Sequence, residues 1–164
     1  MTSRDAAVAA VEAVLADHPE VPSRRVDEGR WALVLPGEVR QAIPVTVEVG
    51  GRSCTLSSFL MRGPRRGAAE LHRLLLRRNL GAARVRFCLD ADDDVVLVAR
   101  LPLAGTTAEE LEAVLGELLS VGDQSFEPLV HVGYPGVFPA LRRPGPGAPA
   151  GPQAGPAEFT TNPV

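Results

Sequence analysis

The chain contains no lysine, and all seventeen of its basic residues are arginine. A P-loop needs a lysine to reach nucleotide phosphates, and Schiff-base chemistry needs a lysine amine, so both are excluded. Histidine is scarce, with His18, His72 and His131 far apart, and no Cys or His pair has metal-ligand spacing. The two cysteines, Cys54 and Cys88, fall in separate strand-like runs, which reads as small buried hydrophobes in a reduced compartment rather than as a disulfide. No apolar run approaches the ~20 residues that cross a bilayer. Met1 to Asp17 carries Arg4, Asp5 and Glu12 in place of an unbroken apolar core, so no signal peptide is expected. A net charge of −3 and a pI near 5.6 argue against a generic nucleic-acid binder. The expectation is a soluble cytoplasmic chain with neither nucleic acid nor membrane as partner.

The 164 residues suit one domain and a tail. Val8, Val11 and Leu15 recur at helical spacing, and Ser3 to Asp17 reads as a helix capped by Ser3 and stopped by Pro19 and Pro22. Trp31 to Leu35 reads as a strand, and Ile43, Val45, Val47 and Val49 alternate as a half-buried one. Gly50-Gly51 predicts a tight two-residue hairpin with positive φ, from which Arg52 to Met61 returns. Gly63-Pro64 breaks that strand. A second helix is expected over Arg66 to Leu80, closed by Gly81. Val85, Phe87 and Leu89 alternate up to the acidic turn Asp90 to Asp94, and Val95 to Leu101 leads back. A third helix is expected from Ala108 to about Val121, opened by a capping box at Thr106–Glu109 or Thr107–Glu110, with only a weak helical turn around Ser125 to Val130. The fold class is therefore α+β, a mainly antiparallel five-stranded sheet with helices on one face, in the order α-β-β-β-α-β-β-α. Its expected core is Val11, Leu33, Val45, Val47, Leu56, Leu71, Leu75, Phe87, Leu97, Leu111, Leu115 and Leu118. The domain is drawn over 1–134. Residues 135–164, rich in Pro and Gly, read as a disordered tail, and deleting Pro139 to Val164 should shift the melting temperature little.

Several of these segments together carry a resemblance. Leu74-Leu75-Leu76-Arg77-Arg78-Asn79, Arg86-Phe87-Cys88-Leu89-Asp90, the Asp-rich turn, Val95-Val96-Leu97, Leu101-Pro102-Leu103, and Glu109-Glu110-Leu111 with Leu118-Leu119 are similar to the YbjN-type family. That family is grouped with domains of the type III secretion chaperone-like fold. The resemblance covers roughly residues 3 to 130. It implies a small α+β domain that commonly dimerises and holds protein segments, without enzymatic activity or a cofactor.

The residues themselves point to surfaces rather than to chemistry. In the stretch Val95 to Leu101, Val96 and Val98 face away from Val95, Leu97, Ala99 and Leu101, so both faces are apolar. Three modest helices cover one face only, so a second copy is expected on the other, with Val96, Val98 and Arg100 as the interface. Arg62, Arg65 and Arg66 precede the second helix and form a candidate anion site at its free amides. The Asp90–Asp94 cluster fails as an EF-hand, since Val95 and Leu101 stand where Gly and Glu are needed, and reads as a solvated hairpin tip. Gly51-Arg52-Ser53-Cys54-Thr55 fails as a nucleophile elbow at its last position. Eight arginines and one acid lie between Arg62 and Arg86, while ten acids and one arginine lie between Phe87 and His131. The basic stretch lacks the aromatics of a nucleic-acid surface, and its arginine-rich helix is read as meeting acidic surface within the domain or across a dimer. The expected function is a non-catalytic protein-interaction module, chaperone-like or regulatory. Its partners would be a second copy and another protein, and the alternative is a small-molecule or anion sensor.

Overall fold

The computed structural model describes residues 2–137. Its elements in chain order are α1 (Ser3–Asp17), β1 (Ser23–Asp27), β2 (Arg30–Leu35), β3 (Ile43–Val49), β4 (Ser53–Met61), α2 (Ala68–Asn79), β5 (Arg86–Leu89), β6 (Val95–Pro102) and α3 (Ala108–Gly133). The strands form one sheet in the order β1-β2-β3-β4-β6-β5, with every neighbouring pair antiparallel. The α+β class and the antiparallel sheet stand as expected, with six strands rather than five.

The additional strand is β1. Ser23-Arg24-Arg25-Val26-Asp27 is exposed at every position, so it has no apolar alternation to betray it. It pairs with β2 through a turn closed by Gly29, whose φ of 73° favours glycine and whose Cβ would meet the Val49 carbonyl at 2.9 Å.

Inward-facing residues of β2, β3, β4 and β6 meet the apolar stripes of the helices. Trp31, Leu33, Ile43, Val45, Val47, Leu56, Leu60, Val95 and Leu97 are buried against Val11, Val14, Leu71, Leu75, Leu111, Val114 and Leu118. The expected core is buried except Leu115, which is half-buried at the rim of a groove between α1 and α3.

Several local features differ from expectation. The N-cap of α1 is Thr2, in a capping box with Asp5, rather than Ser3. Neither Gly50 nor Gly51 takes a positive φ; the β3–β4 turn is wider than two residues, with Gly50 N–H donating to Ser53 at 2.9 Å. Helix α2 begins at Ala68 after a left-handed Gly67, and Leu80 after it stays helical, so Gly81 supplies no left-handed cap. Of the two competing caps on α3, Thr107 is the one used, accepting from Glu110 N–H, while Thr106 is buried and donates to the Pro102 carbonyl.

Helix α3 continues past Val121 to Gly133 and absorbs the weak turn expected at Ser125 to Val130. Gly122 and Pro128 are ordinary helix breakers, but here tertiary packing outweighs them. Gly122 lies against Leu97 and Ile43, and Leu129 and Val130 are buried on the same face. The tail expected over Pro139 to Val164 lies outside the described residues.

Candidate protein interface

Among the described residues, the three α-helices lie on one face of the sheet. Strand register fixes what the other face carries, because residues directly opposite each other share a face. One row runs Arg24, Ala32, Thr46, Ser57, Val98, Arg86 from β1 to β5. On one side of it lie Arg30, Glu48, Thr55 and Arg100. On the other lie Val34 with Pro44 and Phe59 with Val96 and Cys88.

Val96 and Val98 are half-buried and Arg100 is exposed, so the three residues expected to share a face do so. The surface around them is less apolar than β6 alone suggests, since Thr46, Thr55 and Ser57 interrupt it. Its largest apolar groups are Phe59, 41% exposed, and Val34, 37% exposed. Arg30 pairs with Glu48 at 2.7 Å. Arg24, Arg86 and Arg100 have no carboxylate partner among the described residues, and Arg86 instead donates to the Ala82 carbonyl at 2.8 Å.

The two edges of the sheet are guarded differently. At β5, the Asn79 side chain donates to the Phe87 carbonyl at 2.9 Å and accepts from its N–H at 2.8 Å, while Glu117 accepts from Val85 N–H at 3.0 Å. These side chains occupy groups an added strand would use. At β1, protection comes from Arg24, Arg25, Asp27 and a bulge after Arg25. Beside the sealed edge, Leu76 of α2 is 71% exposed and Leu80, at its C-terminal end, 92%, with Leu89 exposed nearby.

Arg62, Arg65 and Arg66 are exposed on the loop before α2 and line a cleft of about 1010 Å³. Glu70, Asp92 and Asp94 line the same cleft, so its charge is mixed. Tyr134 O–H donates to the Arg62 and Gly63 carbonyls and ties this loop to the end of α3. Asp90 accepts from the N–H groups of Asp92 and Asp94, and Asp94 accepts from Gly63 N–H. Those carboxylates thus shape the turn and its contact with the loop. The charge complementarity expected of the arginine-rich helix is not found among the described residues, where Arg73, Arg77 and Arg78 form no ion pair and Arg78 donates instead to Ser125 Oγ at 3.0 Å. The acidic face of α3 is met by Arg84 in the loop after α2, 2.6 Å from Glu110 and 3.9 Å from Glu117. The hydrogen bond to Glu110 raises the Arg84 pKa further.

The cysteines occupy opposite faces. Cys54 is buried beneath the helices, and burial pushes its thiol pKa to about 11. Cys88 is free and exposed, contrary to expectation, because it sits on the bare face of a short edge strand.

Two features had no local signal in the sequence. Asp123 on α3 accepts from the N–H groups of Glu38, Val39 and Arg40 at 2.7 to 3.1 Å and clamps the β2–β3 loop. Those donors, Arg40 foremost, hold its pKa below the usual carboxylate value. The second is an apolar groove of about 310 Å³ lined by Val14, Leu15, Leu33, Leu35, Leu115 and Leu119. His18 stands at its rim, its pKa raised chiefly by the hydrogen bond to Glu20.

Among the described residues the helices lie on one face of the antiparallel sheet only, and this fold recurs in solved complexes of type III secretion. A chain of the ExoU–SpcU heterodimeric complex of Pseudomonas aeruginosa superposes with a TM-score of 0.52 at 17% identity, over 76% of this chain and 98% of that one. A chain of the Yersinia pestis chaperone SycH in complex with a fragment of YscM2 gives 0.50 at 17% identity, over 73% and 98%. These likenesses show the fold.

The chain belongs to the YbjN family, whose model, described as "Putative bacterial sensory transduction regulator", matches residues 7–130. Uncharacterized protein Rv0487 of Mycobacterium tuberculosis is 35% identical over 100 residues, 61% of this chain and 55% of that protein. Uncharacterized protein ML2442 of Mycobacterium leprae is 31% identical over 105 residues, 64% and 57% of the two chains. The matched part thus spans just over half the length of these relatives. No helix among the described residues is long and apolar enough to cross a membrane.

Proposed function

We propose that this chain is a non-catalytic protein-interaction module of chaperone-like or regulatory use, which holds a polypeptide on the sheet face its helices leave bare. The observation that carries this reading is the composition of that face: half-buried Val96 and Val98, exposed Phe59 and Val34, and three arginines without acidic partners among the described residues. Apolar groups ringed by charge are the usual make-up of a surface that a partner covers. The solved complexes of the same fold support it, since SycH is a chaperone in complex with a fragment of YscM2. A family described in terms of sensory transduction regulation supports a regulatory use.

A homodimer belongs to this reading. Its surface is better supplied by Leu76 of α2 and the adjoining Leu80 than by Val96 and Val98, because that pair is far more exposed. Helix packing rather than strand addition would join the copies, since Asn79 and Glu117 occupy the β5 edge. The mixed charge around Arg62, Arg65 and Arg66 gives the anion-sensor alternative less support than the protein-binding one.

The test compares polypeptides captured from the source cell by the wild-type chain and by a V96D/V98D variant whose fold is checked by circular dichroism. Specific captures should disappear with the variant, and an unchanged set would overturn the reading. Light scattering tests the dimer separately: Leu80→Asp should yield monomer, and a native monomer at high concentration would remove the dimer alone.

A further inference from the structure

We infer that the polypeptide held on the bare face is an acidic amphipathic helix lying across the strands, about 16 residues long, rather than a second copy of this chain. The inference rests on the reading that this face binds protein, and it names the chemistry of the partner.

Charge carries the first step. The whole chain is acidic, at −3, yet its bare face carries Arg24, Arg30, Arg86 and Arg100 against Asp27 and Glu48 only. Glu48 is already held by Arg30. Arg86 stands directly opposite Val98, and Arg100 is two residues from Val98 on β6, so two like charges lie diagonally beside the apolar Val98. Like charges so placed repel unless an external anion lies between them. A second copy packed face to face would set arginines against arginines, with too few acids to offset them. A partner presenting carboxylates resolves the excess.

Geometry carries the second step. Both edges are guarded against strand addition, β5 by side-chain hydrogen bonds and β1 by charge and a bulge, so the broad face remains for docking. Arg24 and Arg86 end one row across all six strands. Five strand spacings of ~4.8 Å separate them by about 24 Å, which a helix spans in about 16 residues. The row between them is low, with Ala32, Thr46 and Ser57, and it is flanked by Phe59 and Val96. An apolar helical stripe fits that floor, with acids at one end to reach Arg24 and at the other to reach Arg86 and Arg100.

The test uses synthetic peptides and the full chain. An 18-residue Leu/Glu amphipathic helix is titrated by fluorescence anisotropy, beside its Leu/Lys counterpart, a single-stranded oligonucleotide and vesicles of anionic lipid. The Glu peptide should bind, weakening with salt and by about tenfold in an R24E/R86E/R100E variant, the summed effect of three exposed charge pairs. Arg24→Gln with Arg100→Gln serves if the triple variant folds poorly, and it should show a smaller loss in the same direction. Equal binding of the Lys peptide, binding of neither peptide, or tighter binding of the oligonucleotide or the vesicles would overturn the inference. So would a dimer that Val98→Asp dissociates. If V96D/V98D abolishes capture from cells while the arginine variants capture as before, the interaction face stands and the acidic partner falls.

Discussion

The two faces of this sheet are made by the same strands and share every backbone hydrogen bond, yet they are built to different ends. Along β6, Val95, Leu97, Ala99 and Leu101 are all buried beneath the helices, whereas Val96 and Val98 are half-buried and Arg100 is exposed. Along β4 the contrast repeats, with Cys54, Leu56 and Leu60 covered and Thr55, Ser57 and Phe59 on the other side. The covered face supplies stability through close packing. The other face is mixed, with half-buried Val96 and Val98 beside Thr55, Ser57 and Arg100, and contributes less to the packed core.

The largest effect should come from the covered face. Leu97→Ala removes a fully buried side chain and is expected to cost about 2–5 kcal/mol in chemical denaturation. Val98→Thr, one residue along on the half-buried face, should cost about 1 kcal/mol or less. Similar losses at the two positions would erase the distinction between the faces.

A second prediction concerns the clamp that ties the β2–β3 loop to the helix layer. The Asp123 carboxylate is held below its ordinary pKa by the N–H donors of Arg40, Val39 and Glu38. Its contribution is therefore full above the ordinary carboxylate pKa and is lost as pH falls through the lower, folded value. Asp123→Asn should melt below wild type at neutral pH, and the gap should close in acid. A gap that stays constant with pH would show that the charge is not what holds the loop.

The smallest energetic effect, with the sharpest readout, belongs to the cysteines. At pH 8 an alkylating reagent should modify Cys88 on the bare face, while Cys54, with its thiol pKa near 11, should react only on unfolding. Mass spectrometry should show one adduct in the native chain and two in denaturant. Equal rates at both thiols would contradict the assignment of faces.

How much of this was legible before folding depends on whether the signal was local. Alternation in Ile43–Val49 and Val95–Leu101 is a local pattern, and it placed both strands and the shared face of Val96, Val98 and Arg100. Strand β1 has no such pattern because it is exposed throughout, and α3 hid its length behind Gly122 and Pro128, whose local cost is overridden by burial of Leu129 and Val130. The neighbours of Val98 come from pairing: Ser57 lies on β4, Arg86 on β5, and the row ends at Arg24 on β1. Register between distant segments is set by the whole sheet, so neither the arginine frame nor the clamp 83 residues from Arg40 could be read from spacing.

The most direct test of the bare face as the interface is photo-crosslinking in the living cell, with a benzophenone side chain placed at position 98 or, as control, at Ala13 on the exposed side of α1. Adducts with another polypeptide at 98 and none at 13 is the expected result; adducts at 13 with none at 98 would contradict it.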